Sequence, residues 1–168
     1  EMGDSANIPV PPVFPEGSML GKPDLVLKMK NPVFIKGDDK DRFLLMKSPY
    51  EIGQDTFVRA IEFVPDKKKI VHHVNGFLIQ YESAKKKNVF SGEWWIDTQE
   101  NDYKIAYEKM DLMNDDGKTY PMLTPSAVNY LPGVLPVLYP YGIGGFKVKN
   151  KGAIFLKDIH YGPSPVDQ

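Results

Sequence analysis

The run Ile70-Val71-His72-His73-Val74-Asn75-Gly76-Phe77-Leu78-Ile79 constrains this chain more than any other. Apolar, β-branched and aromatic residues dominate it, and the charged turn Lys67-Lys68-Lys69 precedes it. It therefore reads as a strand over Ile70–Tyr81. Two adjacent histidines sit inside it, and the whole chain has only three. The third, His160, lies in a second strand-like run, Gly152–Tyr161. A β-scaffold that set these two distant runs side by side would let three imidazoles meet at one metal. Neutral imidazole suits copper, zinc, iron or nickel, and three imidazoles without a carboxylate or thiolate suit copper or zinc. One geometric objection stands. Neighbouring residues on a regular strand point to opposite faces, so His72 and His73 diverge unless the strand is bulged or twisted there, or the rings bind from opposite sides. The plainer alternative makes one histidine a core residue and the other a surface residue.

The rest of the chain supplies such a scaffold. Strand-like segments recur at Asp24–Met29, Pro32–Ile35, Arg42–Met46, Thr56–Val64, Glu93–Asp97 and Ala153–Tyr161, separated by stretches rich in Gly, Pro, Asp, Asn and Lys. Short punctuated strands without sustained 3.6-residue periodicity predict an all-β sandwich or jelly roll in a single domain over residues 24–168. Pro65-Asp66 opens a turn that predicts a hairpin between Thr56–Val64 and Ile70–Tyr81. Asp102–Met113 reads as a short helix or an irregular loop, and Asn114-Asp115-Asp116-Gly117 as a turn. Prolines and glycines break the run Asn129–Gly145, whose many apolar side chains predict an ordered loop packed over the sheet. Residues 1–23 are proline-rich and read as an extended arm or linker.

Composition excludes several classes. Lys and Arg number 21 against 22 Asp and Glu, so there is no basic footprint for nucleic acid and no polybasic membrane patch. No apolar run reaches the roughly 18 residues of a membrane span, and no N-terminal segment reads as a signal peptide. The absence of cysteine removes disulfides, thiolate ligands and cysteine nucleophiles.

Other candidates carry less. Asp158 shares a strand face with His160 and could act as its outer partner or simply face solvent. Met110-Asp111-Leu112-Met113 reads as core rather than thioether ligand. Trp94-Trp95 suggests a sugar-stacking platform or burial of at least one ring. Gly142-Ile143-Gly144-Gly145 lacks the strand-to-helix setting of a phosphate loop, and Ser48, Ser126 and Ser164 lack a nucleophile-elbow setting. No catalytic residue is assigned.

Glu62-Phe63-Val64-Pro65 followed by Ile70-Val71-His72-His73-Val74 resembles the N-terminal domain of the copper type II, ascorbate-dependent monooxygenases, the family of peptidylglycine α-hydroxylating and dopamine β-monooxygenases. Tyr130-Leu131-Pro132-Gly133, Tyr139-Pro140-Tyr141-Gly142-Ile143-Gly144, Lys151-Gly152 and Ile159-His160-Tyr161-Gly162-Pro163-Ser164-Pro165 resemble the same domain in bacterial relatives. The resemblance spans roughly residues 24–165. It implies an antiparallel jelly-roll β-sandwich, outside the cytoplasm, in which His72, His73 and His160 hold one copper in a T-shaped site and ascorbate is the reductant. In the family a second β-domain carries another copper on two histidines and a methionine. This chain has no histidine left for it and none of the disulfides of the animal enzymes. The expectation is therefore the electron-storing half of a two-copper enzyme, fragment or natural half, with a second copper domain as its partner and no monooxygenase activity alone. Two rivals differ in class. One is an extracytoplasmic carbohydrate- or protein-binding sandwich with no functional metal, and the other a structural or hydrolytic zinc site.

Overall fold

The computed structural model describes residues 8–10, 13 and 15–168, and the rest of the proline-rich arm lies outside the described residues. Among the described residues, seven strands and one helix follow in order: β1 (Arg42–Glu51), β2 (Thr56–Val58), β3 (Val71–Tyr81), β4 (Trp95–Asp97), α1 (Tyr103–Lys109), β5 (Met122–Tyr130), β6 (Phe146–Val148) and β7 (Lys151–Tyr161). The expected all-β, antiparallel, single-domain sandwich is what forms. Its main sheet has the order β4-β1-β7-β3-β5, and β2 pairs with β6 in a small second sheet. β7 runs between β1 and β3, so the C-terminal strand is the centre of the domain. No two neighbours in the main sheet are consecutive in sequence, and hairpin logic cannot find such an order.

The main sheet is buried on both faces, which is why β1 reads as a continuous apolar run rather than an alternating one. Leu44, Met46, Val74, Leu78, Leu156 and Ile159 face one core, closed by Val148 with Val58 and Phe146 of the small sheet. Leu45, Ile79, Tyr81, Ile96 and Phe155 face a second core, closed by Ala106, Met110 and Leu112 on and after α1. Met110 and Leu112 are core residues, as the sequence suggests. Truncating a fully buried Leu such as Leu45 to Ala costs about 2–5 kcal/mol. Asp102 caps α1 by accepting from the Lys104 N–H at 2.7 Å. Two fully buried lysines, Lys47 on β1 and Lys86 in the loop after β3, hold the end of α1 and the following turn. Lys47 Nζ donates to the carbonyls of Ser91 and Met110, and Lys86 Nζ to those of Asp111 and Met113.

Several segment assignments are corrected. Only Thr56–Val58 of the Thr56–Val64 segment is a strand, and it pairs with β6, not with β3. Both edges of β3 are already occupied, by β5 and β7. The Pro65–Ile70 turn therefore carries the chain between sheets, closed by Ile70 and Val71 N–H groups donating to the Lys67 carbonyl at 3.1 and 3.3 Å. Asp24–Met29 and Pro32–Ile35 are not strands. Leu27, Met29 and Val33 lie against the first core, and Ile35 exchanges two backbone bonds with Gln168. Glu93–Asp97 shortens to β4, whereas β5 and β6 arise where no strand was read. Of the Asn129–Gly145 run, Asn129 and Tyr130 end β5 rather than belonging to a loop. Beyond them Leu135, Tyr141 and Ile143 are exposed, while Tyr139 stands edge-on to Phe146 of the small sheet at 5.4 Å.

Candidate metal centre

All three histidines meet. His72 and His73 come from β3 and His160 from β7, adjacent antiparallel strands in which His73 lies directly opposite His160. Their Nδ1 atoms form a triangle: His72 to His73 3.2 Å, His72 to His160 3.1 Å, His160 to His73 3.4 Å. The three rings stand edge-on to one another, at interplanar angles of 68° to 81°.

Two strand irregularities make this possible and answer the objection about neighbouring side chains. Along β3, Val71 opposes Tyr161 and His73 opposes His160, so β3 takes two steps where β7 takes one. The extra residue is His72, and a bulge there breaks the alternation that would send His72 and His73 to opposite faces. β7 is bulged in turn. It has one extra residue, seen both between its partners for His73 and Asn75 on β3 and between its partners for Leu44 and Met46 on β1. Asp158 is the residue common to both gaps, and its backbone is left-handed at φ 58°. The bulge displaces the strand enough to bring His160 opposite His73.

The surroundings of the three rings differ. His160 is mostly buried. Phe43 of β1 stacks on it at 4.5 Å and 12°, and its Nε2 lies 2.6 Å from Asp41 Oδ1. His72 is exposed, and neither its Nε2 nor that of His73 has a partner among the described residues. His73 is held below the ordinary imidazole range, first by burial and then by the charges of His160 and His72. Both causes favour the neutral ring, the form a metal needs.

Asp158, the outer partner suggested by the sequence, is not on His160. Its Oδ1 accepts the Tyr103 hydroxyl at 2.6 Å, which ties the bulge to α1. Asp41 takes the place beside His160 instead. Nothing in the sequence singles it out, because Asp38-Asp39-Lys40-Asp41-Arg42 reads as a charged turn. Neither tryptophan of Trp94-Trp95 is buried. Trp95 is 38% exposed and, with Phe34, Arg42, Glu93 and Asp97, lines an open cleft of about 600 Å³.

The donor set fits a metal that favours imidazole. From the three separations, the point equidistant from the Nδ1 atoms lies about 1.9 Å from each, close to the ~2.0–2.1 Å of an imidazole–metal bond. The described residues hold no other group of three histidine or acidic side chains so placed. No family model, curated protein or solved structure matches this chain.

Proposed function

We propose that His72, His73 and His160 hold one copper ion through Nδ1, and that the domain stores one electron, as the electron-storing half of a two-copper, ascorbate-dependent monooxygenase does. Copper bound there supplies one-electron redox chemistry between its cupric and cuprous forms. The chain's own residues preset the ligands: the bulges at His72 and Asp158 set their positions, burial favours the neutral form of His73, and Phe43 fixes the plane of the His160 ring. A second copper domain, where oxygen and substrate meet, is the partner this reading requires. The domain is read as working outside the cytoplasm.

The observation that carries the proposal is the Nδ1 triangle of 3.1 to 3.4 Å, built from residues 72, 73 and 160. Calorimetric titration tests it. Copper(II) should bind at one ion per chain, and His160→Ala should weaken binding strongly. Unchanged stoichiometry and affinity in His160→Ala would refute the assignment. Metal analysis of protein purified without added metal separates copper from zinc. Anaerobic ascorbate should remove the cupric paramagnetic signal by one electron per chain, and under air the isolated domain should hydroxylate neither a glycine-extended peptide nor a phenethylamine.

A second reading has one observation in its favour. The exposed Trp95 beside Phe34, Glu93 and Asp97 in an open cleft is the type of surface that grips a carbohydrate or a protein segment. Glycan-array and pull-down binding that persists in the triple variant lacking all three histidines would favour it.

A further inference from the structure

We infer that Asp41 is a positioning residue that selects the metal-ligating tautomer of His160 and locks the direction of its ring. The inference rests on the metal-site reading above.

A neutral imidazole carries one ring proton, and a metal needs the other nitrogen bare. His160 Nδ1 points into the triangle, 3.1 and 3.4 Å from the other two Nδ1 atoms. Without a metal, those separations invite one histidine to place its proton on Nδ1 and donate it to a neighbour. Such a proton would occupy a ligand position. Asp41 prevents this for His160. An ionised carboxylate can only accept, and its Oδ1 sits 2.6 Å from His160 Nε2. A proton on Nε2 makes that contact a charge-assisted hydrogen bond. A proton on Nδ1 would instead set two lone pairs against each other at the same distance. The carboxylate thus holds the proton on the outer nitrogen and leaves the inner one bare.

The local sequence makes Asp41 available for this task. Arg42 Nη2 bonds both carboxylate oxygens of Asp38, at 2.8 and 2.7 Å, and its Nη1 donates to the Asp41 backbone carbonyl at 3.2 Å, which leaves the Asp41 carboxylate to His160. Asp41 makes no other ion pair among the described residues. Its backbone is anchored as well. The Gln99 side-chain amide donates to the Asp41 carbonyl at 3.1 Å, and the Asp39 N–H donates to the Ser164 carbonyl at 3.0 Å. Phe43, two residues on, pairs with His160 across β1 and β7 and covers its ring face. One short stretch therefore holds both the edge and the face of a single ligand. His72 and His73 have no such support, so His160 is the preset arm of the site.

The test uses the whole chain, metal-free and ¹⁵N-labelled at histidine, with Asp41→Ala and Asp41→Asn. Asp41 is half-exposed and outside both cores, so both variants should fold. Ring ¹⁵N shifts of wild-type His160 should report Nε2–H and a bare Nδ1. In Asp41→Ala the Nδ1–H form should appear, and Asp41→Asn, which keeps an accepting oxygen, should restore much of the wild-type pattern. Copper(II) affinity should fall about 10–100-fold in Asp41→Ala and less in Asp41→Asn, the range for losing an outer partner of a ligating histidine. Either an unchanged His160 tautomer or an unchanged copper affinity in Asp41→Ala overturns the inference. If wild type binds no copper at the histidines, the metal reading fails, and the inference about a ligand falls with it even where the tautomer shifts.

Discussion

The bulge at Asp158 places His160, and its backbone can be tested apart from its side chain. Asp158 has a left-handed φ of 58° and accepts a 2.6 Å bond from the Tyr103 hydroxyl. Asp158→Ala and Asp158→Gly both lose the carboxylate, so the difference between them isolates the backbone. A left-handed conformation costs a residue with Cβ about 1–2 kcal/mol, while the extra freedom of glycine in the unfolded chain takes back about 0.4–1 kcal/mol. The glycine variant should therefore be the more stable by about 1 kcal/mol. The lost bond is a separate quantity. It is the main cause that pushes Tyr103 up to about 12, but the tyrosine is 41% exposed. Solvent screening reduces its worth to about 1 kcal/mol. Asp158→Gly should then lie within about 0.5 kcal/mol of wild type and Asp158→Ala roughly 1–2 kcal/mol below it. Urea unfolding of the metal-free protein measures both, and a double-mutant cycle with Tyr103→Phe recovers the bond. Equal stability of the alanine and glycine variants would refute the backbone argument. Deleting Asp158 is the severe form of the test. It removes the extra residue, turns His160 toward the opposite face and should abolish three-histidine copper binding.

Three further outcomes follow from the same structure. Copper affinity should fall as pH drops through the imidazole range near 6.5, because protons compete for the ligand nitrogens; titrations giving the same affinity at pH 5 and pH 8 would contradict this. Burial brings the Lys47 ammonium from its ordinary 10.5 down to about 8, so between those values the unfolded chain binds more protons than the folded one. Stability owed to this group should rise with pH there, by at most about 1.4 kcal/mol per pH unit, and a wild-type minus Lys47→Met difference in urea unfolding that stays flat from pH 8 to 10 would disprove it. A Cβ on Gly152 would run into the Ile79 carbonyl oxygen and the buried Tyr50 hydroxyl, so Gly152→Ala should cost at least about 1–3 kcal/mol; a variant that melts with wild type would show that β1, β3 and β7 can spread.

What the sequence determined by itself was local. Apolar and β-branched runs bounded by Gly, Pro and charged turns specified an all-β chain, the strands holding the three histidines, and core positions such as Met110 and Leu112. The scarcity of histidine made residues 72, 73 and 160 the natural site. The order of strands was not legible. Pairing of β7 with both β1 and β3 depends on contacts 70 to 119 residues apart, whereas a turn such as Pro65–Ile70 looks the same whether it closes a hairpin or carries the chain to another sheet. The two bulges were equally hidden. A one-residue register difference exists only between strands, so neither His72 nor Asp158 announces it alone. The same reason explains Asp41. A carboxylate in a charged turn becomes the partner of a particular ring nitrogen only when the start of β1 is laid against the end of β7, and that placement belongs to the tertiary structure.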